Sequence, residues 1–213
     1  SLIIPAFAAQ TYVPSWLEQG VFLEDTTSFA APFTPVSRGG KWGYANRLGG
    51  LAIAPQYDYA LAFSDGLAAV SKDGKCGYID VSGKTVIALQ YEDTASFSEG
   101  LAAVGQNGKF GFIDKTGKTV IAPQYEAVSS FSNGLALVTK DGKCGYVDKT
   151  GKTVVAPQYD GGYNFTSDGF ALVRKGGKWG YVDRTGKEAI ALQYDQALVF
   201  SEGLAAVSKG GKW

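Results

Sequence analysis

An all-β tandem repeat is the fold class this sequence predicts, and three observations predict it. A block of the form Gly-Lys-x-Gly returns with its third residue at Trp42, Cys76, Phe110, Cys144 and Trp179, and Gly-Lys-Trp213 opens it once more, at intervals of 34, 34, 34, 35 and 34 residues. A fixed period of that size is the mark of repeat architecture, in which each unit buries its apolar face against the next. Within each period, short runs rich in Val, Ile, Phe and Tyr are divided by turn-forming pairs, the pattern of strands in a meander. Glycine is frequent, 29 residues, and falls at fixed places in the period, so it marks turns rather than disorder.

One unit is read most plainly between Leu101 and Tyr125: LAAVGQ, NG, KFGFID, KTGK, TVIAPQY. This predicts a three-stranded antiparallel meander. Asn107-Gly108 is the signal of a two-residue type I′ hairpin, whose two central residues both need positive φ. Asp73-Gly74 and Asp141-Gly142 repeat it, and Gly-Gly pairs serve at residues 39–40, 176–177 and 210–211. The second turn begins with Asp80, Asp114, Asp148 or Asp183, and its Gly falls three residues later. An Asp there can accept a hydrogen bond from backbone two residues on. Asn46 replaces it in the first copy. Pro55, Pro123 and Pro157 near the end of the third run lack a donor and predict a strand end at a sheet edge; Leu89 and Leu192 replace them in two units.

A linker joins each meander to the next. It carries a Gln-Tyr pair, then a Phe six residues after the Tyr (Phe63, Phe97, Phe131, Phe165, and Phe200 after Tyr194), then a Gly before the next strand. The one extra residue in the period lies near residues 166–168, in a linker, where insertion costs least.

The domain expected is a single repeat domain over 1–213: a degenerate arm at 1–32, five units over 33–203, and a partial sixth at 204–213. Ser1, Leu2, Ile3, Ile4 and Pro5 align with a third strand, and Leu204, Ala205, Val207 and Trp213 with a first strand and the opening of a second. Such halves invite pairing, since an unpaired strand edge is a liability. They could close one chain as a ring, or pair between molecules as a head-to-tail filament. As a third reading, the chain is a piece of something longer and the halves carry no meaning.

Composition excludes several functions. Lys plus Arg equals Asp plus Glu at 20 each, which argues against nucleic-acid binding, a function that draws on a basic excess. No histidine exists, which removes Ser-His-Asp and Cys-His catalysis and His-ligated zinc. Only Ser-Lys, carboxylate-pair or metal-carboxylate schemes survive that; the turn aspartates bring one carboxylate each, too few for calcium, and no catalytic residue, metal site or cofactor is expected. No run reaches the roughly 20 apolar residues of a membrane span. There is no methionine, and Ala6-Phe7-Ala8 could form a small-x-small processing site, so an extracytoplasmic or cell-surface setting is expected.

The block Gly-Lys-Trp-Gly-Tyr-x-Asp, followed by a Gly turn and Gln-Tyr, resembles the WG-repeat (KWG-repeat) family of bacterial proteins. The resemblance runs from about residue 22 to Trp213, with Trp kept at Trp42, Trp179 and Trp213 and replaced by Cys76, Phe110 and Cys144 elsewhere. It implies an all-β, non-enzymatic repeat protein, often surface-associated or attached to other domains. It leaves propeller-like closure and an open β-solenoid equally available.

Two functions follow from the sequence. The first is a structural protein that self-assembles head to tail, its partner another copy of itself, through the residues of the two terminal halves named above. The second is a closed propeller-like module that recognises a glycan or peptide through the row Gln56-Tyr57, Gln90-Tyr91, Gln124-Tyr125, Gln158-Tyr159 and Gln193-Tyr194. The blander reading of that row packs the rings under the linker. The anchor position is read as an apolar seam, with Gly allowing close approach. Cys76 and Cys144 are read as buried free thiols, and the lysines of the Gly-Lys pairs as a solvated ladder along the strand edges.

Overall fold

The computed structural model describes residues 33–213. The expectations for residues 1–32, including Ser1 to Pro5 and the arm, lie outside the described residues. The chain divides into two compact units, which among the described residues are 33–107 with 113–118, and 108–112 with 119–213.

In the first unit, β1 (Phe33–Arg38), β2 (Lys41–Asn46) and β3 (Leu51–Tyr57) form a three-stranded sheet. Next come β4 (Tyr59–Ala60), β5 (Leu67–Lys72), β6 (Lys75–Asp80) and β7 (Thr85–Tyr91), in the spatial order β4-β5-β6-β7. All neighbours are antiparallel. The linker therefore adds a short fourth strand to the meander that the sequence predicts. The same order returns in β8 (Asp93–Thr94), β9 (Leu101–Gln106), β10 (Lys109–Asp114) and β11 (Thr119–Tyr125), of which residues 109–112 and 119–125 are counted with the second unit.

The second unit holds β12 (Ala127–Val128), β13 (Leu135–Lys140), β14 (Lys143–Asp148) and β15 (Thr153–Tyr159) as one sheet. Another is built from β16 (Gly161–Gly162), β17 (Phe170–Lys175), β18 (Lys178–Asp183) and β19 (Glu188–Tyr194). It ends with a two-stranded sheet, β20 (Gln196–Ala197) and β21 (Val207–Ser208).

The turns take the expected geometry. Asp73 and Gly74 have φ of 53° and 72°, and Asn107 and Gly108 have 53° and 68°, as a type I′ hairpin requires. Asp65-Gly66, Glu99-Gly100, Asn133-Gly134 and Glu202-Gly203 form further positive-φ pairs that turn the linker back into the first strand, a turn the sequence reading missed. The extra residue lengthens this turn in one sheet, where the Thr166 amide donates to the Phe170 carbonyl at 3.0 Å.

The glycine after the anchor is fixed by its own sheet. Between Cys76, opposite Tyr91, and Tyr78, opposite Ile87, the register shifts, and the third strand bulges over Gly77. A Cβ at Gly77 would lie 2.5 Å from the Ile87 carbonyl oxygen and 2.7 Å from that of Ala88. Gly43, Gly111, Gly145 and Gly180 meet the same backbone at 2.4 to 2.6 Å. Pro55 sits inside this bulge, and β3 runs on to Tyr57, so the proline does not mark the strand end that the sequence predicts. A bulge leaves a ladder position unpaired, which suits a residue with no N–H. Where Leu192 replaces proline, its amide donates to the Glu188 carboxylate at 3.3 Å.

The core of each sheet is aromatic. Tyr44, Tyr78, Tyr146 and Tyr181, two residues after the anchor, are buried and meet the linker Phe at ring-centroid distances of 4.8 to 4.9 Å. Their hydroxyls donate to the carbonyls of Leu61, Ala95, Tyr163 and Leu198 at 2.6 to 2.8 Å, so the buried phenol is satisfied by linker backbone. Phe112 holds this place in one repeat and packs on Phe131 at 4.7 Å without a hydroxyl. Phe112→Tyr is expected to add the same bond to the Ser129 carbonyl and raise stability by about 0.5–1 kcal/mol. The urea midpoint of the variant reads this directly, and an unchanged or lower midpoint contradicts it.

Candidate functional site

Four of the repeats carry a polar clasp that the sequence reading only half found. The residue after every Gln-Tyr pair is acidic: Asp58, Glu92, Glu126, Asp160 and Asp195. Asp58 accepts from Lys41 of the preceding meander and, at 2.7 Å, from the Asp73 amide in the next hairpin. Asp160 takes Lys143 at 2.6 Å and the Gly176 amide at 2.7 Å. Asp195 takes Lys178 at 2.5 Å and the Gly210 amide at 2.7 Å, and Glu126 takes Lys109 at 3.6 Å and the Gly142 amide at 3.0 Å. These four lysines are thus paired rather than simply a solvated ladder. The signal was in the sequence, as an acidic residue at one fixed place in every period.

Further bonds tie successive repeats. Ser64 Oγ donates to the Phe97 carbonyl at 2.7 Å, the Gly100 amide to Asp65 at 2.8 Å, and the Gly203 amide to Asp168 at 3.0 Å. Gly83, with φ of 83°, packs its second turn on Ile53 of the preceding sheet. In that turn Asp80 Oδ1 accepts from the Ser82 hydroxyl at 2.6 Å and its amide at 2.9 Å, and Asp114, Asp148 and Asp183 repeat the arrangement.

These contacts set the electrostatics. The Ser or Thr hydroxyl two residues on holds Asp80, Asp114, Asp148 and Asp183 below the ordinary carboxylate value. The lysine hydrogen bond does the same first for Asp58, Asp160 and Asp195, and the Gly142 amide for Glu126. Asp93, buried in β8, is pushed the other way by burial. A carboxylate lowered in the folded state stabilises fully above its unfolded value, and that contribution is lost as pH falls through its folded value. Among the described residues eight lowered groups outweigh one raised one, so stability is expected to fall as pH drops below about 4. The urea midpoint should therefore decline on acidification below about pH 4, and a midpoint that holds or rises there contradicts this assignment.

The cysteines are both buried and free. Burial pushes the Cys76 thiol up to about 11, so it stays protonated and inert at neutral pH. Among the described residues no group of three His, Cys, Asp or Glu side chains converges as a metal site, and no helix is long and apolar enough to cross a membrane.

In the proposed recognition row, Tyr57, Tyr91, Tyr125 and Tyr159 are buried and Tyr194 half-buried, while Gln56, Gln90, Gln124, Gln158 and Gln193 are exposed. The tyrosine rings pair across the sheet with the anchor, as in Trp42↔Tyr57 and Cys144↔Tyr159. What this row offers to solvent is the glutamine amide.

The C-terminal sheet differs from all the others. Leu204 is 78% exposed, where its counterparts Leu67, Leu101 and Leu135 are 8%, 8% and 6% exposed. Leu198, Val199 and Trp213 are also exposed. Among the described residues only Val207 and Ser208 join the ladder, with Leu204 held by a bridge to Ser201. Ala205 is half-buried and outside any strand. Ile190, whose counterparts Ile53, Ile87, Ile121 and Val155 are buried, is only half-covered.

Sheets of this kind, stitched in series by linker strand, clasp and turn, define a tandem all-β repeat protein of the propeller-like or solenoid class. The WG containing repeat model matches residues 42–76, 77–110, 110–144, 145–179 and 179–213, and the chain belongs to the WG-repeat family. No curated protein matches it. Among solved structures, Kluyveromyces lactis Hsv2 with loop 6CD replaced by a Gly-Ser linker is similar at a TM-score of 0.51 and 12% identity, covering 75% of this chain and 61% of that one. Kluyveromyces lactis Hsv2 itself is similar at 0.50 and 13%, covering 75% and 59%. The chain thus spans about three fifths of the length of those structures, and likeness at that identity bears on the fold alone.

Proposed function

We propose that the chain is a non-enzymatic structural module that self-associates head to tail through its C-terminal sheet. The observation that carries this reading is Leu204, exposed at a place where the repeats before it bury leucine. With Leu198, Val199 and Trp213 it makes an apolar surface beside a strand whose outer edge has no partner among the described residues. Such a surface is favourable to cover, and strand addition covers it while satisfying backbone groups. The donor in this reading is the third-strand-like segment of a second copy, Ser1, Leu2, Ile3, Ile4 and Pro5. In complete sheets the anchor pairs with the aromatic that closes the third strand (Trp42↔Tyr57, Trp179↔Tyr194), so Trp213 would meet Phe7 of the donor. An extracytoplasmic setting belongs to the same reading and rests on Ala6-Phe7-Ala8.

Light scattering on size-fractionated protein tests it. The reading predicts species at multiples of 22.5 kDa that grow with concentration. Leu204→Lys, or removal of residues 1–6, should return the monomer with its β-sheet circular dichroism intact. A monomer at every concentration, or oligomers indifferent to both changes, overturns it.

A further inference from the structure

The repeats serve as controls for one another, and one sheet departs from the rest in a single place. Across β16, β17, β18 and β19 the register aligns Gly161, Arg174, Trp179 and Tyr194 in one row on one face. The place of Arg174 is taken elsewhere by Ser37, Ser71, Gly105, Thr139 and Ser208, and that of Gly161 by Tyr59, Asp93, Ala127 and Gln196. Two residues beyond Gly161 stands Tyr163, where other linkers have Leu61, Ala95, Ser129 and Leu198. Three departures from the repeat therefore meet around one of the retained tryptophans.

Their geometry is that of a platform. The Tyr163 and Trp179 rings lie 6.0 Å apart at 39°, and Tyr163 is 43% exposed. The Arg174 guanidinium carbon stands 5.5 Å from the Trp179 ring centroid, a cation–π stack. Beside them a Cβ on Gly161 would meet nothing within 4 Å, so the sheet surface is open there. Gly162, in contrast, is held bare by the Tyr146 hydroxyl, 2.9 Å from where its Cβ would be. Arg174 makes no ion pair among the described residues. Asp160 and Asp195, next in the chain to Gly161 and Tyr194, are each held by a lysine and a turn amide. After Lys143, Arg174 also helps hold Asp160 below the ordinary carboxylate value, and its planar set of donors suits an outside carboxylate. Gln158, on the last strand of the preceding sheet, is exposed and accepts from Lys175 at 3.1 Å.

We propose that Tyr163, Arg174 and Trp179 form a binding site for an acidic saccharide: a hexuronate ring lies against the aromatic surface and its carboxylate takes the Arg174 fork. A saccharide fits better than a peptide strand, because the two rings and the guanidinium lie on a sheet face rather than along a strand edge. The site is independent of the C-terminal edge.

Titration of the full chain with trigalacturonate, followed through the Trp179 indole N–H resonance, tests it. Arg174→Ser and Tyr163→Leu install residues that sister repeats already carry, so both variants should fold, which circular dichroism checks. The expected result is a saturable shift of the Trp179 resonance. Arg174→Ser should weaken binding about tenfold or more, Tyr163→Leu should also weaken it, and neutral maltotriose should bind far less. No shift at millimolar trigalacturonate, or an Arg174→Ser variant that binds as well as the parent, overturns the proposal. Equal affinity for a Glu-Glu-Glu peptide overturns the saccharide assignment and leaves a general anion site.

Discussion

Gly77→Ala is expected to cost about 3 kcal/mol or more and to lower the melting temperature by roughly 10 °C. The added methyl would sit 2.5 Å from one carbonyl oxygen and 2.7 Å from another, both main chain and both in the same sheet. No rotamer change relieves such a contact. Either β7 moves away and loses its pairing with β6, or β6 shifts and carries Tyr78 out of the core. Gly74→Ala is the control: a Cβ there meets nothing within 4 Å, so only its φ of 72° resists the substitution. It should cost about 1 kcal/mol. Thermal melts of the two variants separate the effects, and equal losses would contradict the role given to the bulge.

Phe97→Ala should be as damaging, at about 3–5 kcal/mol. The ring is 1% exposed and meets Tyr78 at 4.8 Å. Removing it opens a cavity beneath the linker whose Ala95 carbonyl receives the Tyr78 hydroxyl at 2.8 Å. The Phe97 carbonyl also accepts from Ser64 Oγ of the preceding repeat, so the loss reaches across a repeat boundary. Stability in such arrays is approximately a sum of unit and interface contributions. The urea transition is therefore expected to broaden as well as shift, because one unit opens before its neighbours. A transition that shifts without broadening would place Phe97 in a single cooperative core.

Much of this architecture was legible because a repeat prints its constraints several times over. Asn107-Gly108 and its counterparts gave the hairpins, and the Asp80 series gave the second turn, since both depend on local backbone conformation that residue type dictates. The short fourth strand was not legible. Tyr59–Ala60, Asp93–Thr94 and Gly161–Gly162 share no side-chain pattern, because what those residues contribute is backbone pairing. The glycine after the anchor was read as allowing close approach, but which backbone approaches it depends on a bulge in β7 that the run TVIALQY does not announce. The acid after Gln-Tyr was visible and overlooked, since its two partners lie 17 residues behind and 15 ahead, as Lys41 and Asp73 lie from Asp58. The burial of the Gln-Tyr rings was legible as the blander of the two readings of that row: strand alternation puts the ring under the sheet and the amide outside. The cluster at Arg174 was hidden because it departs from the repeat, and the repeat was what the sequence made easy to see.

The most direct test of the central claim, that the edge at Leu204 to Lys209 receives a strand from a second copy, is amide hydrogen exchange of the peptide spanning 204–213. It should be measured in dilute and in concentrated protein, with the interior strand Leu135–Lys140 as internal reference. Strand addition predicts that exchange at 204–209 slows as concentration rises, while the reference strand is unchanged. Rapid exchange at 204–209 at every concentration would contradict it and leave that edge bare.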